Sequence, residues 1–413
     1  MAGSAPGPPV PAAECLAAAA TLAEEIWRRR VRAADGSVTW LRPGSPTRGE
    51  APDRRSRLDP YLYDGTAGIA LFFAALARAG GPEWFRDRAL EVIEPVRRRF
   101  AGVLARPERA ATLRLAVGGI AGVGSLLYAF ARLGDLLLEP ALRGEAWALT
   151  ALFDRERIAG DRACDVLYGN AGAILALLAL GSEVPGPGPR SGGRSPAAIA
   201  TGCAERLLEL QERSGGSRGG WHSLPGRPPM AGFSHGAAGV GSALLRLYRV
   251  SGDRRLPAAA REGLAFEAAL CRPAGSAARP RLPATWCTGS AGIWMAWEGA
   301  GDLVAEAGGH ARRALDALLA SPPAEVDHLC CGGAGRLEAL CRAGERGHAR
   351  ARAAARELAG GILRRAATGR LRWRAAPPPG HFDPTLFTGA AGVGYTLLRL
   401  AAPGRLPCVA LLE

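Results

Sequence analysis

Three cysteines and one histidine are the residues of this chain best placed to do chemistry. Cys287 lies in TWCTGSAGI, Cys330 and Cys331 in HLCCGGAGR, and His235 in FSHGAAGVG. Each stands one or two residues ahead of a Gly-x-x-Gly pair, so they occupy equivalent places in segments far apart in the chain. Zn²⁺ prefers tetrahedral sulfur and nitrogen ligands, and a catalytic site keeps one position open. Three thiolates plus one exchangeable ligand meet that requirement. Alone, Cys330–Cys331 reads equally as a pair of small buried hydrophobes; the matching placement of Cys287 is what favours a metal. His235, in register with Cys331, suits acid–base work. Asp165, four residues before Gly169, could hold the His235 ring by a hydrogen bond and raise its pKa, although a loop or helix cap explains it nearly as well. Asp64 reads as such a cap. Cys15, Cys164, Cys203, Cys271, Cys341 and Cys408 lack this placement and read as structural; His222, His328 and His381 lie near motifs but off register.

These residues imply an architecture that brings them together. Gly-x-x-Gly followed by an apolar run occurs seven times, at Gly65/Gly68, Gly119/Gly122, Gly169/Gly172, Gly236/Gly239, Gly289/Gly292, Gly332/Gly335 and Gly389/Gly392. A period near fifty residues signals a repeat fold. The run after each pair, such as Ile69 to Leu76 or Ala173 to Leu180, is apolar on every side and must be buried on every side. Between runs lie amphipathic segments such as Glu83 to Leu104. Each repeat therefore reads as an inner helix and an outer helix, and inner helices without a polar face favour a closed ring over a solenoid. The expected fold is all-α: an α/α toroid of about seven helical hairpins, with the segment around Cys15 to Arg30 supplying the first outer helix. The glycines serve tight turns and close approach. Residues 182–198, 214–230, 272–284 and 376–380 read as surface loops.

In a toroid, the residues just ahead of the first glycines share one rim. They are Asp64, Gly118, Tyr168, His235, Thr288, Cys331 and Thr388, preceded by Tyr63, Val117, Leu167, Ser234, Cys287, Cys330 and Phe387. Cys287, Cys330, Cys331 and His235 then converge at the mouth of the ring.

Composition narrows the function. All 52 basic residues are arginine and the net charge is +14, but the arginines are scattered and only 6% of residues are aromatic, which argues against nucleic-acid binding. The absence of lysine excludes Schiff-base chemistry and a Walker-type phosphate loop. The start of the sequence lacks the basic and apolar regions of a secretory signal, and no run is long enough for a membrane span. The expected location is cytoplasmic, where clustered thiols suggest metal or catalysis.

The motifs LYDGTAGIALFFAALA, GGIAGVGSLLYA, DVLYGNAGAILALLAL, GFSHGAAGVGSALLRL, WCTGSAGI, HLCCGGAGRLEAL and LFTGAAGVGYTLLRLA together resemble those of the lanthionine synthetase C-like family. They are most similar to the C-terminal cyclase domain of class II lanthipeptide synthetases. The resemblance covers about residues 60–413 and leaves 1–59 as an N-terminal extension with one helix. It implies an α/α toroid with zinc held by Cys287, Cys330 and Cys331, the last standing where the family commonly has His, as in its three-cysteine branch. It assigns the acid–base role to His235 and its partner to Asp165. The family often carries Tyr or His after the first zinc cysteine and an Arg shortly before it; here these places fall to Thr288 and Arg281. Residues 1–60 are too short for the dehydratase domain of the bifunctional enzymes, so a separate dehydratase is the expected partner.

The implied reaction adds a peptide cysteine thiolate to dehydroalanine or dehydrobutyrine in the same dehydrated precursor, with His235 as general acid. Three rivals stand beside it. One is addition of a small thiol such as glutathione, and another is peptide binding without turnover. The third is an α/α-barrel glycosidase, which would need a carboxylate pair drawn from Asp64 and Asp165.

Overall fold

The structure is a computed structural model describing residues 11–42, 57–106, 108, 110, 113, 115–181, 194–271, 282–376 and 380–413. In chain order its elements are α1 (Ala12–Arg28), a short hairpin of β1 (Val31–Arg32) and β2 (Val38–Thr39), α2 (Thr66–Arg78), α3 (Trp84–Leu104), α4 (Val123–Leu137), α5 (Pro140–Ala148), α6 (Arg155–Gly160) and α7 (Asn170–Leu180). There follow α8 (Pro196–Leu210), α9 (Ala237–Ser251), α10 (Arg255–Cys271), α11 (Ser290–Trp297), α12 (Ala307–Leu319), α13 (Gly333–Glu345), α14 (Ala349–Ala367) and α15 (Ala390–Ala401).

Helices α2, α4, α7, α9, α11, α13 and α15 form the inner ring, each packed on the next and α15 on α2. Their apolar runs are buried as expected: every residue of α2 from Thr66 to Leu76 is inaccessible to solvent. The outer helices α3, α5, α8, α10, α12 and α14 each pack on the inner helix they follow, and α1 packs on α15. The N-terminal helix thus completes the last hairpin rather than the first. This α/α toroid is the fold the repeats predict. Among the described residues no helix is long and apolar enough to cross a membrane.

The ring is closed by backbone as well as side chains. Two residues ahead of each inner-helix cap, one N–H donates to the equivalent carbonyl of the next repeat. The bonds run Tyr63 to Ile120, Ile120 to Leu167, Leu167 to Ser234, Ser234 to Cys287, Cys287 to Cys330, Cys330 to Phe387 and Phe387 back to Tyr63, at 2.8 to 3.4 Å. Every inner helix therefore starts at one rim, and seven helix N-termini face the same space. Their first-turn N–H groups donate to carbonyls of the loops that double back ahead of them, as Ser290 does to Pro283 and Ala334 to Asp327, and their aligned dipoles favour negative charge at the rim.

The glycine spacing has a steric cause. Ahead of each helix the chain doubles back over the first turn, and in most repeats a Cβ on either glycine would press on the carbonyl six residues earlier. A Cβ on Gly289 would lie 2.0 Å from the Pro283 oxygen, and one on Gly392 only 1.8 Å from the Leu386 oxygen. The second repeat departs from the expected register. Its cap is Gly122, not Gly119, and Ser125 takes the place of the second glycine. Its rim residues are accordingly Ile120 and Ala121, three residues on from the expected Val117 and Gly118.

The middle of the ring is filled from the opposite end by residues 408–413. The Trp286 indole N–H donates to the Ala410 carbonyl (2.9 Å), Tyr128 Oη to that of Glu413 (3.1 Å) and Arg246 to that of Leu411 (2.6 Å). This segment and the mutually tilted rings of Phe233, Trp286 and Phe387, with centroids 5.0 to 5.6 Å apart, form a floor below the rim. The rim is therefore a basin, not the mouth of a channel. Most of the loops expected at 182–198, 272–284 and 376–380 lie outside the described residues.

Candidate functional site: a cysteine cluster and a histidine–carboxylate pair

The rim residues of the fifth and sixth repeats bring three thiols together. The Sγ atoms of Cys287, Cys330 and Cys331 all lie within 4.8 Å of one another, with Cys287–Cys331 and Cys331–Cys330 both at 3.3 Å. Three sulfurs around a tetrahedral ion with bonds of about 2.3 Å would sit roughly 3.8 Å apart, so the cluster needs only small side-chain shifts to fit zinc. The electrostatics agree. Hydrogen bonds from Cys330 and Cys331 hold the Cys287 thiol far below its ordinary range, while those same bonds to Cys287, with burial and its charge, push the other two up. Three thiolates this close repel one another, and a bound cation would offset that repulsion.

Two further groups steady the cluster. Tyr63, brought round by closure of the ring, places its Oη 3.2 Å from Cys330 Sγ and stacks on Phe387 at 5.2 Å. Burial, with the cysteines alongside, pushes the phenol well above its ordinary pKa, so it stays protonated and donates to sulfur. His328 is buried, and its Nδ1 accepts the Cys331 backbone N–H at 3.3 Å. The sequence places Tyr63 on the rim and His328 near a motif but off register, and assigns a role to neither. His328 was recognisable as an HxCC neighbour, but Tyr63 gave no signal except its register with Cys287 and Cys330.

On the adjacent turn, His235 Nδ1 lies 2.6 Å from Asp165 Oδ2. Asp165 is completely buried, and its other oxygen accepts the backbone N–H groups of Tyr168 (2.7 Å) and Gly169 (3.0 Å). The two readings of Asp165 are thus compatible, since one oxygen caps the loop and the other orients the imidazole. Burial pushes its carboxyl up, against the pull of His235. With Nδ1 directed at the carboxylate, Nε2 is the nitrogen left for a reactant, and the His235 side chain is 17% exposed. Cys164 helps aim Asp165 inward. It adopts a left-handed φ of 59°, and the Asp161 carboxylate steadies this turn by accepting the N–H groups of Ala163 (3.0 Å), Cys164 (3.3 Å) and Asn170 (2.8 Å).

The remaining candidates divide. Thr288 stands beside the cluster, its Oγ1 3.8 Å from Cys287 Sγ. Arg281 lies outside the described residues. Asp64 is not a cap, because the N-cap of α2 is Gly65 and no side chain caps the helix; it lies 4.0 Å from Arg42. Burial pushes the thiols of Cys15, Cys164, Cys271 and Cys408 up to about 11 or 12, away from reactivity. His222 is exposed beside Glu212.

Comparisons with known proteins bear on this arrangement. The family model described as lanthionine synthetase C-like protein matches residues 56–411. Among solved structures, nisin cyclase superposes with a TM-score of 0.58 at 16% identity, covering 85% of this chain and 91% of that one. An inactive variant of an α-1,6-mannanase from Salegentibacter sp. HEL1_6 gives only 0.44 at 12% identity, covering 97% and 100%. No curated protein matches the chain.

Proposed function

The chain belongs to the lanthionine synthetase C-like family, and from that premise we propose that it is a zinc-dependent cyclase. It closes lanthionine and methyllanthionine rings in a dehydrated precursor peptide. The observation that carries this reading is the rim itself: three thiols gathered within 4.8 Å, one turn of the ring from a histidine oriented by a buried carboxylate. Cys287, Cys330 and Cys331 would hold the ion. Bound zinc would supply Lewis acidity, bringing a peptide thiol to its thiolate near neutral pH.

The rest falls to the protein. The basin is floored by aromatic rings and residues 408–413, which keeps water from reaching the reactants from below. The peptide thiol gives up its proton to His235 Nε2 or to solvent, its sulfur forms a bond to the β-carbon of dehydroalanine or dehydrobutyrine, and the alkene π pair moves to the α-carbon and its carbonyl. His235 then delivers a proton from Nε2 to the α-carbon. Asp165 holds the ring in the tautomer and direction this needs and stabilises the imidazolium. Tyr63 donates to Cys330 and offsets part of the charge of an all-thiolate site. The sum is an addition with no change in mass. A carboxylate-pair glycosidase is poorly served by this geometry, because both oxygens of Asp165 are already hydrogen-bonded and the group is wholly buried.

We assign the cyclase domain to residues 60–413 and treat 1–59 as an extension whose helix completes the ring. The expected partner is a separate dehydratase. In the test, purified protein with zinc is given a dehydrated precursor, and cysteines are then counted with a thiol-alkylating reagent. Protection of cysteines at unchanged mass is the expected result. Unprotected cysteines would overturn the reading, as would a glutathione-sized mass gain when glutathione is present. Water loss from an unmodified precursor would overturn the assignment as a dedicated cyclase.

A further inference from the structure

A groove of about 940 Å³ opens on the rim between the second and third repeats. Its walls come from the end of α3 (Leu104), the stretch leading to Gly122 (Leu113, Leu115, Val117), the turn before α6 (Leu152) and the loop ending at Tyr168. Tyr168 belongs to both the groove and the reactive centre, because its ring faces that of His235 at 6.3 Å and 28°.

Three observations describe what this groove can hold. First, most of its lining is apolar, and its charged residues are engaged or exposed. Arg157 is tied to Asp154 (2.7 Å) and to the carbonyls of Ala110 (2.9 Å) and Leu152, Asp161 accepts three backbone N–H groups, and Glu156 and Arg162 are exposed. Second, apolar surface is displayed there. Leu113 is 37% and Tyr168 43% exposed, two of only six large apolar side chains so exposed among the described residues. Third, its size is at the upper end of ligand pockets, roughly 300–1,000 Å³. That is room for several residues of an extended chain advancing about 3.3 Å per residue.

We propose that this groove is the track for an apolar segment of the polypeptide substrate, flanking the residues that react beside His235. The proposal rests on the cyclase reading for its location. It adds a selection rule: ring closure is favoured where large apolar side chains neighbour the dehydro residue or the cysteine. The groove meets the His235 side of the basin at Tyr168, which favours the substrate chain itself as the occupant over a separate partner protein. Tyr168 would stack on the segment where it passes into the basin.

The test uses two synthetic peptides with the same dehydroalanine–cysteine spacing, one flanked by Leu, Phe and Val and the other by Gly, Ser and Asn. Wild-type protein should close the apolar-flanked peptide with a KM about tenfold lower, the effect of burying roughly one side chain. Leu113→Arg should abolish that preference while zinc content, kcat and the KM for the polar-flanked peptide stay unchanged. Leu113→Ser, a milder change, should weaken it, and serves if the arginine variant fails to fold. A second readout separates this proposal from the cyclase reading. Fluorescent analogues carrying Ala for dehydroalanine and Ser for cysteine are followed by anisotropy. Tighter binding of the apolar analogue, lost in Leu113→Arg, supports the groove even if no ring closes. Ring closure with no flank preference, or a preference that survives Leu113→Arg, overturns the groove and leaves the cyclase standing.

Discussion

The second and sixth turns of the ring share one backbone and have opposite chemistry. In both, the chain doubles back so that the cap glycine presses on the carbonyl six residues earlier, at 2.5 Å for Gly122 and 2.6 Å for Gly332. In both, the residue two places ahead of the cap donates its N–H to the next repeat, Ile120 to Leu167 and Cys330 to Phe387. Yet the rim side chains are Ile120 and Ala121 in one turn and Cys330 and Cys331 in the other. The glycines and the hydrogen-bond belt build the scaffold seven times over, and the reactive groups sit at two places per turn, with Asp165 and His328 supporting them from just behind. Function and stability should therefore respond to different residues of the same loop.

The largest effect on stability is expected at the glycines, irrespective of chemistry. Gly122→Ala and Gly332→Ala should each destabilise the protein by about 1–3 kcal/mol, the usual cost of forcing an atom into a packed site. Thermal unfolding of both variants checks this. If Gly122→Ala were harmless and Gly332→Ala severe, the two turns would not be equivalent scaffolds.

The largest effect on catalysis without loss of fold is expected at His235. His235→Asn should slow ring closure about 10²–10⁴-fold and keep its zinc. Asp165→Asn sharpens the point. Burial raises the Asp165 pKa in the folded protein, so the folded state holds the proton more tightly than the unfolded one. This contribution to stability is fully present below the unfolded pKa and is lost as pH rises through the folded value. Near neutral pH the buried charge is therefore a cost, which asparagine removes while still capping the loop. Asp165→Asn should unfold at the same temperature as wild type or higher, yet turn over more slowly; calorimetry and the alkylation assay together test it.

A smaller effect is expected at Tyr63. Tyr63→Phe should weaken zinc binding about 10–100-fold, typical of a lost outer partner, and should shift the sulfur-to-metal absorption of the cobalt-substituted protein. An unchanged spectrum would remove Tyr63 from the site. The smallest effect concerns the other thiols. At pH 8, metal-free protein should be alkylated first at Cys287, whereas Cys15, Cys164, Cys271 and Cys408, pushed up to about 11 or 12 by burial, should react only as the pH approaches those values. Peptide mapping after brief alkylation distinguishes them.

Much of this was legible in the sequence because the fold repeats itself. The period exposed the inner helices, and matching places ahead of the glycines brought Cys287, Cys330, Cys331 and His235 to one rim. What stayed hidden depended on single local choices or on closure. GGIAGVGS offers two overlapping ways to set the second cap, and in the fold Gly119 packs against Gly172 while the cap falls at Gly122. Tyr63 reaches Cys330 across 267 residues of sequence, a contact that exists only once the ring closes. Nothing in the composition of residues 408–413 marks them as the filling of the bore, and nothing in ACDVLYGN shows that one carboxylate of Asp165 serves two purposes.

The central claim is that the three rim cysteines hold zinc and His235 does not. Metal analysis of the purified wild type and of Cys287→Ala, Cys330→Ala, Cys331→Ala and His235→Asn tests it most directly. The account predicts about one zinc per chain in the wild type and in His235→Asn, and little in any cysteine variant. Full retention in a cysteine variant, or loss with His235→Asn, would contradict it.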